Sequence, residues 1–295
     1  MRRKFLFGCL ILFSACIVIA AIAGGAGLLF VQTRSQPDEK NQTLYRGISY
    51  VRDIRQSPRP LVVHVVKVKL RADGIRFLVT PGDPNAERSL QARKTSQFLQ
   101  EFGVQLAVNG DGISPSYYNH PLDYYPHVGD PVEPLGFAAS EGLIYSDNPD
   151  NEPVLYISRK NRARFNSPLG GIYNAISGFS MLLEKGKPVQ GLEADIHPRT
   201  ALALDKNRRY LIIVVVDGRQ PGVSDGVKLS EMADIVLSHE GFDAMNMDGG
   251  GSSTLVMQDR DGKPKVLNSP IHKNIPGEER PVGNHLGIFA QSADE

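Results

Sequence analysis

"DAMNMDGGGSSTLV", Asp243 to Val256, turns on three consecutive glycines, Gly249 to Gly251, placed directly after Asp248. Glycine loses more backbone freedom on folding than any other residue. A triplet in a compact domain therefore calls for a backbone path or a close approach that side chains would block. Strand alternation puts Ala244, Asn246 and Asp248 on one face and Met245 and Met247 on the other. The methionines then belong to a core, while Asn246 and Asp248 project together. The amides of Gly249, Gly250 and Gly251 are expected to form a nest for an anionic oxygen, with Ser252 and Ser253 adding hydroxyl donors. The competing interpretation is an inert hairpin.

Two other segments share this grammar of an apolar strand, Asn or Asp, then Gly. "LAVNG" ends at Asn109–Gly110 and "VVVDG" at Asp217–Gly218. Each alone is an ordinary turn signal. Three such strand ends in one chain point to a shared ligand site, since strand ends are where side chains and turn amides converge. In "HPRTALALD", alternation groups Arg199 with Ala201 and Ala203, small neighbours that leave space for a guanidinium to grip phosphate. An internal salt bridge is the alternative for Arg199, and His197 before a proline reads as a loop residue.

The surrounding patterns give an α+β domain with a mixed β-sheet core and a few helices. "PLVVHVVKVKL" and "GIRFLVT" are expected to pair around "RADG". The unbroken apolar run of "RYLIIVVVDGR" belongs at a sheet centre. "KTSQFLQEFG" reads as a helix capped by Gly103. "KLSEMADIVLSHEG" reads as a helix with Ser230 as N-cap, Glu231 in its first turn, an apolar face of Leu229, Met232, Ala233, Val236 and Leu237, and Gly241 as its stop.

The chain has 295 residues and a net charge of +1, which argues against a nucleic-acid partner. Both cysteines, Cys9 and Cys16, lie near the N-terminus, so the rest has neither disulfide nor thiolate chemistry. Arg2, Arg3 and Lys4 precede an uncharged run from Phe5 to Val31. As a helix that run would extend about 40 Å, enough to cross a bilayer of roughly 30 Å with tilt. The expectation is a single-pass anchor over 1–33 with a cytoplasmic N-terminus, a polar linker over 34–45, and an extracytoplasmic catalytic domain over 46–295. Secretion after cleavage near Ala23 is the alternative, and acylation at Cys16 a third.

Metal patterns mostly fail. "AVNGDGISPSYY" resembles part of a calcium loop through Asn109 and Asp111, yet its first and last ligand positions would be Ala107 and Tyr118. H-E-x-x-H, G-x-S-x-G and P-loop patterns are missing. No cofactor or catalytic metal is expected, and a structural Ca2+ near "SDNPDNE" stays open. The tyrosine-rich loop "ISPSYYNHPLDYYPH", Ile113 to His127, suits either a sugar platform or loop packing.

Taken together, "LAVNGDG", "HPRTALAL", "LIIVVVDGRQ", "LSEMADIVLSHEGFDAMNMDGG", "NMDGGGSSTLV" and "ERPVGNHLGIF" resemble the phosphodiester glycosidase family in content and order, from about Pro60 to Ala290. The resemblance implies hydrolysis of a sugar-1-phosphodiester at the anomeric position. It also implies functional positions at Asn109, Arg199, Thr200, Asp217, Asn246, Asp248, Gly249, Gly250 and Ser252. Asp248 is the first choice for the catalytic carboxylate and Asp217 the second, with Arg199 and Asn246 beside them. Asn109, Asp111, Thr200, Gly249, Gly250, Gly251 and Ser252 are the expected substrate-binding set. One departure stands out: the family's usual asparagine-glycine-glycine-aromatic turn is here Asn109-Gly110-Asp111-Gly112-Ile113, with a carboxylate added and the aromatic lost. The expected partner is a glycosyl phosphodiester or an envelope glycopolymer. A non-catalytic glycopolymer binder and a metal-dependent phosphodiesterase are the alternatives.

Overall fold

The computed structural model describes residues 34–293 apart from residue 148. The expected anchor, Phe5 to Val31, lies outside the described residues. Among those described, no helix is long and apolar enough to cross a membrane.

An eight-stranded sheet forms the spine, in the order Lys40–Tyr45, Ile48–Arg55, Leu61–Lys69, Tyr210–Val216, Arg199–Asp205, Gly241–Asn246, Ser180–Glu184 and Lys187–Pro188. A five-stranded sheet stacks on it, ordered Pro264–Val266, Leu255–Gln258, Leu106–Asn109, His285–Phe289 and Arg76–Val79. A second five-stranded sheet contains Val154–Ile157 and Asn174–Ser177. The strand ladders are antiparallel throughout, which corrects the expectation of a mixed sheet. The helix Leu229–Ser238 does link two parallel strands, Tyr210–Val216 and Gly241–Asn246. Arg199–Asp205 runs between them and pairs antiparallel with both, so this crossover creates no parallel ladder.

The apolar runs are continuous because the central strands are buried on both faces. Leu202, Leu204, Ile213, Val215 and Met245 point into a core shared with Leu106, Val108, Leu255 and Leu286 of the facing sheet. The alternate residues Ala201, Ala203, Ile212, Val214 and Ala244 pack under Met232, Ala233 and Val236 of the helix. The helix Thr95–Phe102 covers the outer face of the other sheet through Phe98 and Leu99, and Gly103 closes it at φ +64° as expected. Helix, sheet, sheet and helix thus form four layers.

Several boundaries differ from expectation. Leu61–Lys69 and Arg76–Val79 do not pair. They join different sheets, because each finds a longer apolar partner far along the chain. The strand Lys40–Tyr45 occupies part of the expected linker and forms a hairpin with Ile48–Arg55. Lys228, rather than Ser230, is the N-cap of the second helix, and Glu231 reaches back to the Lys228 N–H at 2.8 Å. Leu237 is exposed. The left-handed residue after that helix is Glu240, at φ +73°. Gly241 instead opens the next strand, where a Cβ would lie 2.3 Å from Val236 Cγ1.

Candidate active site

The segment after Asn246 carries the chain from the eight-stranded sheet to the facing sheet, and backbone bonds fix it on both sides. Met247 N–H donates to Thr200 O at 2.8 Å and Asp248 N–H to Gly110 O at 3.1 Å. Asn109, fully buried, closes the joint: its Nδ2 donates to Asp248 O at 2.7 Å. Its Oδ1 accepts the Thr200 hydroxyl at 2.9 Å and the Thr254 N–H at 3.1 Å. The strand ends of Asn109 and Asp248 therefore do meet.

The glycine triplet is explained by what lies against it. Gly250 takes a left-handed φ of +59°. A Cβ on Gly251 would stand 2.5 Å from Arg280 Nη2, and one on Gly250 would stand 3.2 Å from Arg219 Nη2. Bare backbone here admits two guanidinium groups. The expected amide nest is largely spent internally: Gly250 N–H donates to Pro198 O at 2.8 Å, and Gly249 N–H bonds the Asp248 carboxylate. Anion-binding capacity at this bend resides in side chains.

A cavity of about 800 Å³ opens over the bend, and Arg199, Asn246, Asp248, Gly249, Gly250 and Gly251 all line it. Arg219, Arg280, His197, Tyr118, Tyr124 and Phe179 complete the walls used below. Ser252 lines a smaller recess of about 90 Å³ that shares Asp248, Arg280, Tyr124 and Phe179 with the main cavity. Asn109, Asp111, Thr200 and Asp217 stand behind the wall.

The charges in the cavity are unevenly compensated. Arg199 is tied down, its Nη2 donating to Glu193 Oε2 at 3.1 Å and to Asp195 O at 2.8 Å. This is the internal salt bridge, formed in the cavity wall itself. Neither Arg219 nor Arg280 is ion-paired among the described residues. Arg219 Nη2 donates to His197 Nδ1 at 3.2 Å, and Arg280 Nε donates to His272 Nδ1 at 3.2 Å. Burial, then the neighbouring guanidinium, lowers both histidine pKa values, that of His272 to about 3. Neutral imidazoles thus orient the two arginines without cancelling their charge. Burial and the adjacent Arg280 and Arg199 also lower the pKa of Arg219, as expected for cations crowded without a counter-charge. Arg280 lies 4.2 Å over the Tyr124 ring, which meets His272 edge-on.

Asp248 is the acid at the centre of this positive field. Burial raises its pKa, opposed by the Ser252 hydroxyl, Arg280 and the Gly249 N–H. Asp217 is placed differently. Its carboxylate accepts Asn268 Nδ2 at 3.1 Å, Ser269 N–H at 2.9 Å and His64 Nε2 at 3.2 Å, and Asn268 in turn holds Ser253 O at 3.0 Å. Asp111 points inward to Gly112 N–H, Gly136 N–H and the Ser177 hydroxyl, and burial pushes its pKa up to about 6.

At the cavity mouth, Glu193, Asp195 and His197 offer ligand atoms within 4.8 Å of one another. Glu193 is already bonded to Arg199 and His197 to Arg219, so a dication there would lie beside two guanidiniums. Glu231 pairs with Arg59 and serves the helix start.

Arg219, Arg280 and His272 belong to the site without having been singled out by sequence, whereas Tyr124 lies in the tyrosine-rich loop read as either a sugar platform or loop packing. Arg219 and Arg280 do sit inside the quoted blocks "LIIVVVDGRQ" and "ERPVGNHLGIF", one residue after Gly218 and two before Val282.

Comparison with known proteins is consistent across sequence and fold. A family model described as phosphodiester glycosidase matches residues 102–289. A hypothetical protein from Synechocystis superposes with a TM-score of 0.65 at 15% identity, over 86% of this chain and 64% of that one. This chain therefore spans less than two thirds of that relative's length. The zebrafish N-acetylglucosamine-1-phosphodiester alpha-N-acetylglucosaminidase catalytic domain, auto-inhibited by its pro-peptide, superposes with a TM-score of 0.58 at 19% identity, over 86% of this chain and 89% of that one. At these identities the likeness is one of fold. No curated protein sequence matches the chain.

Proposed function

Because this chain belongs to the phosphodiester glycosidase family, we propose that it hydrolyses a sugar-1-phosphodiester by breaking the bond between the anomeric carbon and the phosphate oxygen. One observation carries the reading: two arginines that form no ion pair among the described residues are seated on the triglycine bend beside Asp248, in a cavity large enough for a sugar and a phosphate.

A phosphodiester oxygen is a weak base, so its departure depends on charge stabilisation more than on protonation. Arg219 and Arg280 supply that stabilisation and, held by neutral histidines, need little reorganisation when the charge develops. Asp248 acts as the carboxylate that activates water or supports an oxocarbenium-like sugar. Water gives its oxygen to the anomeric carbon, and a proton ends on the released phosphate.

Asn246 stands in the same wall with a buried Oδ1 that has no hydrogen-bond partner among the described residues, a spare acceptor for a sugar hydroxyl. Tyr118 and Tyr124 offer ring faces to the sugar. Arg199, held by Glu193, frames the cavity. Asn109, Thr200 and Asp217 act as positioning residues behind Asp248 and the bend.

The decisive experiment is hydrolysis of an alkyl glycosyl phosphodiester in oxygen-18 water. Label is expected in the sugar. Label in the phosphate would replace this reading with phosphodiesterase chemistry. Retention on glycopolymer without turnover of any sugar phosphodiester would replace it with a binding role.

A further inference from the structure

We infer that the cavity mouth rests on a bilayer and receives glycosyl phosphodiesters whose aglycone is a membrane lipid, an inference that rests on the hydrolase reading above.

The first support is where the described chain begins. Arg34 Nη1 donates to Gln220 Oε1 at 2.6 Å and its Nη2 to Ser269 Oγ at 3.1 Å. Gln36 Nε2 donates to Val223 O at 2.9 Å. These bonds strap the N-terminal segment to the turn that carries Arg219, a cavity-lining residue. Only Gln32 and Thr33 separate Val31, the end of the apolar run, from Arg34. At full extension that interval covers about 10 Å. A bilayer crossed by that run would lie within this short reach of Arg34, and so beside the turn that carries Arg219.

The second support is the rim. Leu122, at the tip of the hairpin formed by Tyr117–His120 and Asp123–Tyr125, is 72% exposed. On the same hairpin Tyr118 is 52% exposed, and Phe179, from a separate segment, is 42% exposed; both line the cavity. An apolar and aromatic rim with arginines behind it matches the headgroup region of a bilayer, where rings sit at the interface and phosphate lies at the level of the cations. A freely soluble diester would give Leu122 nothing to contact. Cleavage breaks the bond from the anomeric carbon to the phosphate oxygen. Water's oxygen joins the sugar and its hydrogen ends on the phosphate, leaving a reducing sugar and a lipid phosphomonoester.

The test uses the full chain in phosphatidylcholine vesicles. It is offered a hexosyl-1-phospho-dialkylglycerol in the vesicles or, separately, a methyl hexosyl phosphodiester in solution. The lipid diester is expected to be cleaved about tenfold faster or more, because substrate and enzyme share one surface. Leu122→Asp should lower the lipid rate by about the same factor while leaving the soluble rate unchanged. Equal rates for the two diesters, or equal loss in the variant, would overturn the inference and leave the hydrolase reading standing. The chain has no tryptophan, so Leu122→Trp gives a single reporter. Its fluorescence is expected to be quenched by brominated lipid, while Tyr210→Trp, at the far end of its strand from Asp217, stays unquenched. Absence of quenching at position 122 overturns the docking whatever the turnover. Quenching without cleavage of any diester would instead sink the hydrolase reading.

Discussion

The polar groups on the two sides of the triglycine bend obey opposite rules. Behind it, Asn109 and Asp217 are buried with their hydrogen-bonding capacity filled by protein, each tying one segment to another. In front, Arg219 and Arg280 form no ion pair among the described residues and lie against neutral imidazoles, bare glycine backbone, an aromatic ring and the Ser252 hydroxyl. Satisfied polar groups specify structure, whereas oriented and uncompensated ones await a ligand. The same strand-end grammar supplies both sides, so the grammar alone cannot assign a role. The cavity does.

The strongest way to break this contrast is Asp248→Asn. Turnover is expected to fall by roughly 10³-fold or more while the melting temperature holds, because the amide keeps the shape and loses the negative charge. Full activity would remove Asp248 from the chemistry. Next, Arg280→Met should cost about 10²-fold in kcat/KM with little change in stability, since it removes a stabilising charge and an unpaired burden together. A variant that unfolds while retaining its specific activity would move Arg280 to the structural side.

Asn109→Ala should show the reverse pattern, losing about 3 kcal/mol of stability through three stranded partners, with kcat within tenfold of the parent under folding conditions. Denaturant titration beside steady-state kinetics separates the two. Asp111 sharpens the contrast by pH. Its folded pKa of about 6 lies above the ordinary 3.8, so the folded chain binds the extra proton between those values. Its contribution is fully present below about pH 4 and is lost as pH rises through about 6, a change of about 3 kcal/mol. Asp111→Asn should flatten that slope in a stability profile. Smallest of all, EDTA is expected to leave hydrolysis unchanged, because the rim trio of Glu193, Asp195 and His197 faces arginines. Loss of activity on chelation, restored by a dication, would show that this trio belongs to the chemistry.

Much of the spine was legible in sequence because burial on both faces leaves unbroken apolar runs, as in Tyr210–Val216. Asp248 and Asn246 were legible through period-two alternation beside a glycine triplet that needed a cause. Arg219 and Arg280 were not, since they leave irregular loops where no period predicts direction, and charge alone does not distinguish an arginine free in solvent from one lining a cavity. The strand Lys40–Tyr45 was missed because an edge strand with polar side chains has the composition of a linker. The supposed pairing of Leu61–Lys69 with Arg76–Val79 failed for a different reason. Nearness along the chain favours a hairpin only when no better-matched strand arrives later, and here Tyr210–Val216 and His285–Phe289 did.

Asn109 holds the peptide of Asp248 while accepting from Thr200 on one sheet and Thr254 at the start of the other, so the putting-together of the reactive acid is inseparable from the clamping of the two layers. A wedge that slid those layers by an ångström, entering from the opposite end of the sandwich, would displace the carboxylate without ever entering the cavity. Control of this protein from a distance would then require nothing more than a change in how tightly its two leaves are shut.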